Sequence, residues 1–165
     1  PDDELSRARE TGGLHRNFQG YSTCAECDLI GLGVSAISKV GYSYSQNRKD
    51  IREWRQELEA GALPVWRGVQ LSREDIIRRT VIEGIMCHGY LRFDAIEREF
   101  GIDFSDHFAF ELERLRDLAE DGLIEMDEES ISASGSGLLL LRVIAMVFDE
   151  YLPQNRPAMS YSKVI

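Results

Sequence analysis

From Asp28 to Val40 the chain runs through Leu29, Ile30, Leu32, Val34, Ile37 and Val40, broken only by small or polar residues such as Gly31 and Gly33. An apolar run of this length between turn residues predicts a strand buried on both faces. One strand cannot bury both faces alone, so its sheet is expected to lie mostly upstream of residue 1, and this half of the chain reads as the edge of something larger. Residues 1 to 13 are polar and end in Gly12-Gly13, and no initiator Met precedes Pro1, so the sequence is expected to be a piece of a longer protein.

Downstream the pattern becomes helical. Asp50 to Ala60 sets Ile51, Trp54 and Leu58 at helical spacing before Gly61 and Pro64, which predicts a short amphipathic helix and then a linker. Ser72-Arg73-Glu74-Asp75 resembles a capping box, and Ile76, Ile77, Thr80, Val81 and Ile85 give one apolar face running to about Cys87. The domain boundary is placed at 61–70. A helix from Asp94 to Phe100, stopped by Gly101, precedes a longer one carrying Phe104, Phe108, Leu112, Leu115 and Leu118 up to Gly122. Leu123 to Met126 and Ser130 to Ala133 flank an acidic turn as a hairpin, and Leu138 to Leu152 predicts a last apolar helix before Pro153. Helices plus a hairpin describe a winged-helix-like unit.

The charge narrows the function. Nineteen Lys and Arg against 29 Asp and Glu give −10, which disfavours affinity built on phosphate neutralisation. The helix of the helix-turn-helix that would face DNA carries Glu111, Glu113, Asp117, Glu120 and Asp121 against Arg114 and Arg116. Nucleic acid is therefore not expected as a partner. No apolar run reaches the roughly 18 residues that span a bilayer, and Pro1-Asp2-Asp3-Glu4 is no signal peptide, so a cytoplasmic protein without membrane contact is expected.

Several clusters bear chemistry in principle. Cys24 and Cys27 have the C-x-x-C spacing of a metal pair or redox disulfide, but Cys87, His15, His88 and His107 show no second paired spacing, so no metal site is expected. Gly31-Leu32-Gly33-Val34-Ser35-Ala36 satisfies G-x-G-x-x-A, yet no amphipathic helix follows, as a dinucleotide fold requires. Small residues at a strand end also let a planar base lie against the backbone, with Ile37 as an apolar surface. His15 to Tyr21 packs a cation, amides and aromatics together, which suits either a gripped polar ligand or a solvated loop with aromatic anchors. His88 and His107, near helix ends, read as structural, and Arg142 on an apolar helix reads as half of a buried ion pair.

Taken in order, His15-Arg16-Asn17-Phe18-Gln19-Gly20-Tyr21, Asp28 to Ile37, Tyr44-Ser45-Gln46-Asn47, Trp66-Arg67-Gly68, Arg78-Arg79 and the terminal Tyr161-Ser162-Lys163-Val164-Ile165 resemble the C-terminal part of oxygen-independent coproporphyrinogen III oxidases, a radical S-adenosylmethionine (SAM) family. The resemblance implies a mainly α fold with a small β component: the end of a partial (β/α) barrel over 1–60, then a helical, winged-helix-like C-terminal domain over 61–165. It implies an oxidoreductase that uses SAM and a [4Fe–4S] cluster to decarboxylate two propionates of coproporphyrinogen III to the vinyls of protoporphyrinogen IX. An electron donor such as flavodoxin or ferredoxin and a monomeric state go with it.

Carried over by position, the resemblance gives Ile37, with Ala36 beside it, to SAM, and Phe18 and Gln19 to the active site. Arg16 and Arg67 are candidate cations for the substrate's propionates. The family's cluster motif, C-x-x-x-C-x-x-C, is absent here, so the chain by itself is expected to bind neither cluster nor SAM tightly and to have no turnover. The C-terminal domain is expected to act as a lid or scaffold. Alternatives are a radical SAM haem chaperone or methyltransferase relative, or a free-standing winged-helix interaction module.

Overall fold

In the computed structural model residues 3–17, 20–24 and 27–152 are described, and they fall into two compact units, Pro1–His88 and Gly89–Ile165. Among the described residues helix outweighs strand, 47% against 22%, so the β part is larger than a small component.

The first unit opens with α1 (Glu4–Thr11), capped by Asp3 and closed by Gly12 in the left-handed conformation. β1 (His15–Asn17) and β2 (Gly20–Ser22) form a hairpin. β3 (Ile37–Val40), β4 (Ser43–Asn47) and β5 (Val65–Gln70) make an antiparallel sheet in that order, with α2 (Ile51–Glu59) between β4 and β5 and α3 (Arg73–His88) after them. Asp50 caps α2, its Oδ1 accepting from Arg52 N at 2.8 Å and Glu53 N at 3.1 Å. The box at α3 is reciprocal: Ser72 N donates to Asp75 Oδ2 at 2.8 Å and Asp75 N to Ser72 Oγ at 3.1 Å. α3 buries Ile77, Val81 and Ile85 as its periodicity requires and packs along β1.

The apolar run at 28–40 is not one buried strand. Only its last four residues form β3; Leu29 bridges to Lys39 alone, and Ile30 and Leu32 are 70% and 89% exposed. The glycines explain the departure. Gly33 and Ser35 take positive φ and fold the chain back over β3, while a side chain at Gly31 would set its Cβ 2.5 Å from the Ile37 carbonyl oxygen. β3 pairs with β4, and β4 in turn with β5. Within 61–70, read as a linker, Val65–Gln70 forms β5; the compact units part after His88.

The second unit begins with β6 (Tyr90–Arg92), then α4 (Phe93–Phe100), α5 (Phe104–His107), α6 (Ala109–Glu120), β7 (Ile124–Met126) and β8 (Ser130–Ala133). β6 joins the expected hairpin to give the order β6-β8-β7. Gly101 stops α4 in the left-handed conformation, and Asp127 Oδ1 accepts from Glu129 N and Ser130 N, both at 2.8 Å, to set the hairpin turn. A 3-10 turn (Gly137–Leu139), α7 (Leu141–Ala145) and a second 3-10 turn (Met146–Phe148) follow. The core is aromatic: Phe93 stacks on Phe104 at 4.1 Å between centroids, and Phe108 meets Phe148 edge-on at 5.3 Å.

Four expectations fail here for packing reasons. The helix read from Phe104 to Leu118 breaks at Phe108, whose backbone (φ −108, ψ 25) leaves helical geometry while its ring is fully buried. The last helix shrinks to α7 and its flanking turns, with Leu139 87% exposed, since burial is concentrated in Ile144, Ala145, Val147 and Phe148. Arg142 is exposed, so it forms no buried ion pair, whereas Glu111, read as part of an acidic surface, is buried.

Candidate functional site

Alternation along the strands decides which side chains share a face of the β3-β4-β5 sheet. Ile37 pairs with Gln46 and Gln46 with Arg67; two residues along, Lys39 pairs with Tyr44 and Tyr44 with Val69. These two rows put two apolar residues, two cations, an amide and a phenol on one surface.

A loop wired into the sheet holds this surface. Asn47, buried at 9% exposure, donates from Nδ2 to the carbonyls of Gly33 at 2.8 Å and Gly31 at 3.3 Å, and its backbone N–H donates to Ala36 O at 2.9 Å. Ser38 Oγ accepts from Gly31 N at 3.0 Å, and Asp28 Oδ1 accepts from Gly41 N at 2.8 Å. The G-x-G-x-x-A glycines therefore serve the chain's own close packing. Arg67 Nε donates to Gln46 Oε1 at 3.0 Å, and Gln46 Nε2 donates to Ser35 O at 3.2 Å, so the row carrying Ile37 is coupled to that loop. The Arg67 guanidinium also lies over the Trp66 ring at 4.6 Å, with the Lys49 ammonium over the same ring at 4.7 Å.

Two hollows open on this face. One, about 370 Å³, is lined by Ile37, Tyr44, Gln46, Arg67 and Val69. The other, about 560 Å³, is bounded by the β1-β2 hairpin, β3 and α3 and includes Arg16, Lys39, Tyr44, Arg79 and Glu83. Tyr44 lines both. Arg16 lies 5.7 Å from the Tyr21 ring centroid, and Arg79 Nη1 donates to Tyr44 Oη at 3.3 Å. Burial raises the Glu83 carboxyl above the usual carboxylate range, against the pull of Arg79, Lys39 and His15.

Of the predicted residues, Ile37 and Arg67 thus share one hollow, Arg16 lines the other, and Ala36 sits in the loop that leads into β3. Phe18 and Gln19 lie outside the described residues. Tyr44 and Arg79 stand out in the sequence only through the resemblance, and Lys39 and Glu83 carry no sequence signal of their own. Their i,i+4 spacing on α3 puts Arg79 and Glu83 on one helix face, but what that face meets depends on the sheet register.

The cysteines divide. Cys24 and Cys27 are exposed free thiols at the larger hollow, while burial, with the charge of Glu83 adding to it, pushes the Cys87 thiol up to about 11. Among the described residues no group of three or more His, Cys, Asp or Glu is placed to hold a metal. These thiols do not fit a four-iron cluster. His88, half-buried at the end of α3, is held below the usual imidazole range by burial and then by the charge of His15. His107 is exposed and packs edge-on against Phe108. No helix among the described residues is long and apolar enough to cross a membrane.

Residues 71–140 match the family described as HemN C-terminal domain. Over 165 residues, its whole length, the chain is 45% identical to an oxygen-independent coproporphyrinogen III oxidase of Salmonella typhimurium, and over 166 residues 50% identical to one of Pseudomonas aeruginosa. It spans about a third of these relatives, 36% in each case. Among solved structures it is similar to the Escherichia coli coproporphyrinogen III oxidase described as a radical SAM enzyme, with a TM-score of 0.89 and 46% identity over 92% of this chain and 35% of that one. Similar along its whole length and in fold, the chain belongs to the family of the oxygen-independent coproporphyrinogen III oxidases.

Proposed function

We propose that this chain forms one wall of the active site of an oxygen-independent coproporphyrinogen III oxidase, which converts coproporphyrinogen III to protoporphyrinogen IX. In this reading Ile37 and Ala36 serve SAM and Arg16 and Arg67 the substrate, with Phe18 and Gln19 assigned to the active site through the resemblance alone. The observation that carries this reading is the cross-strand row Ile37, Gln46, Arg67, continued through Tyr44 to the hollow that contains Arg16. An apolar surface beside fixed guanidinium groups suits a ligand pair made of an adenosine and a polycarboxylate.

The residues of this chain bind and orient. Ile37 offers an apolar surface to the nucleoside, and Arg67, steadied by Gln46 and Trp66, presents a positive charge at a set position. SAM, when bound, supplies hydrogen-abstracting radical chemistry. The iron–sulfur cluster does not fit the thiols of this chain, and no step through it is assigned to them. Residues 1–60 belong to the catalytic barrel and 61–165 to a winged-helix-like C-terminal domain that scaffolds it in a monomer and takes no nucleic acid.

The test is anaerobic incubation of the intact protein with coproporphyrinogen III, SAM and a reducing system, followed by chromatography of the tetrapyrroles. Protoporphyrinogen IX with SAM consumed is the expected outcome. Absence of decarboxylation together with tight stoichiometric haem binding contradicts it and favours a chaperone.

A further inference from the structure

The larger hollow sets three cations, Arg16, Lys39 and Arg79, around one space in a chain whose net charge is −10. Its acidic groups answer only part of that charge. Asp28 accepts from the Gly41 N–H at 2.8 Å, and burial raises the Glu83 carboxyl above the usual carboxylate range. Among these cations Arg79 is held by Tyr44, its Nη1 donating to Tyr44 Oη at 3.3 Å, while its Nε is buried with no hydrogen-bond partner among the described residues. The Arg79 side chain lines this hollow, and a planar guanidinium matches the two oxygens of a carboxylate.

We propose that Arg79, flanked by Lys39 and Arg16, receives a carboxylate of the substrate in this hollow and so positions the ring. Tyr44 orients the guanidinium and separates this subsite from the hollow lined by Ile37. Arg79 is a positioning and specificity residue. This inference rests on the proposed function, since the carboxylate belongs to that substrate.

The experiment is fluorescence titration of the intact protein with coproporphyrin III, the oxidised ring bearing the same propionates, and with its tetramethyl ester, which lacks their charges. Turnover is measured in parallel. Arg79→Met is expected to weaken binding of the acid roughly tenfold or more and to leave the ester unchanged, with KM rising more than kcat falls; Arg79→Lys recovers part of the loss. If Arg79→Met does not fold, Lys39→Met is read the same way, with an expected loss of about threefold. Unchanged acid affinity in the folded variant, with wild-type turnover intact, overturns the inference and leaves the proposed function standing. A wild-type protein that neither binds coproporphyrin III nor turns over coproporphyrinogen overturns both.

Discussion

Asn47 does at residue scale what a longer strand would otherwise do: one side chain and one backbone N–H fasten the turn at 31–36 to the sheet. Asn47→Ala leaves those carbonyls without their partner and is expected to cost about 1–3 kcal/mol, read by urea unfolding, with faster amide exchange in the loop. Two titrations are also local. The His88 imidazole is depressed, so its contribution is present above its unfolded value of 6.5 and is lost as pH falls through the folded value; melts below pH 6.5 should show a steeper loss in the wild type than in His88→Gln. The Cys87 thiol moves the other way, from 9.0 to about 11, so its contribution is whole below pH 9 and lost as pH rises toward 11. The advantage of wild type over Cys87→Ala should shrink across that interval. C-x-x-C spacing was visible from the start, but spacing does not say that Cys24 and Cys27 are exposed while Cys87 is buried.

At the scale of elements, caps and glycines were the legible part, because they act within a few residues. Asp50, the Ser72 box and Gly101 all begin or end helices where the sequence places them. Apolar runs were less legible, because burial depends on what arrives from elsewhere in the chain. The stretch from Leu29 to Val34 has strand composition but leaves Ile30 and Leu32 exposed, and β6 has too few residues for its alternation to stand out. The break between α5 and α6 follows from ring packing that no periodicity records. Phe104, fully buried and in contact with Phe93 and Phe108, centres that packing. Phe104→Ala is expected to cost about 3–5 kcal/mol, measured by denaturant unfolding.

For the molecule as a whole, the resemblance was carried by ordered short motifs, whereas the face they build needed the sheet register. Ile37 and Arg67 are 30 positions apart and become neighbours only because Gln46 pairs with both. That register sets Arg67 in the same hollow as Ile37, whereas Arg16, on the β1-β2 hairpin, lines the other one. The exposed Ile30 and Leu32 also suit a chain that forms one side of a larger enclosure. The central claim is that Ile37 is a wall of the SAM pocket, and equilibrium dialysis of labelled SAM against the intact, anaerobically prepared protein tests it most directly. Ile37→Asp should weaken SAM binding roughly tenfold or more while the iron–sulfur absorbance is unchanged; SAM affinity equal to that of the wild type would contradict the account.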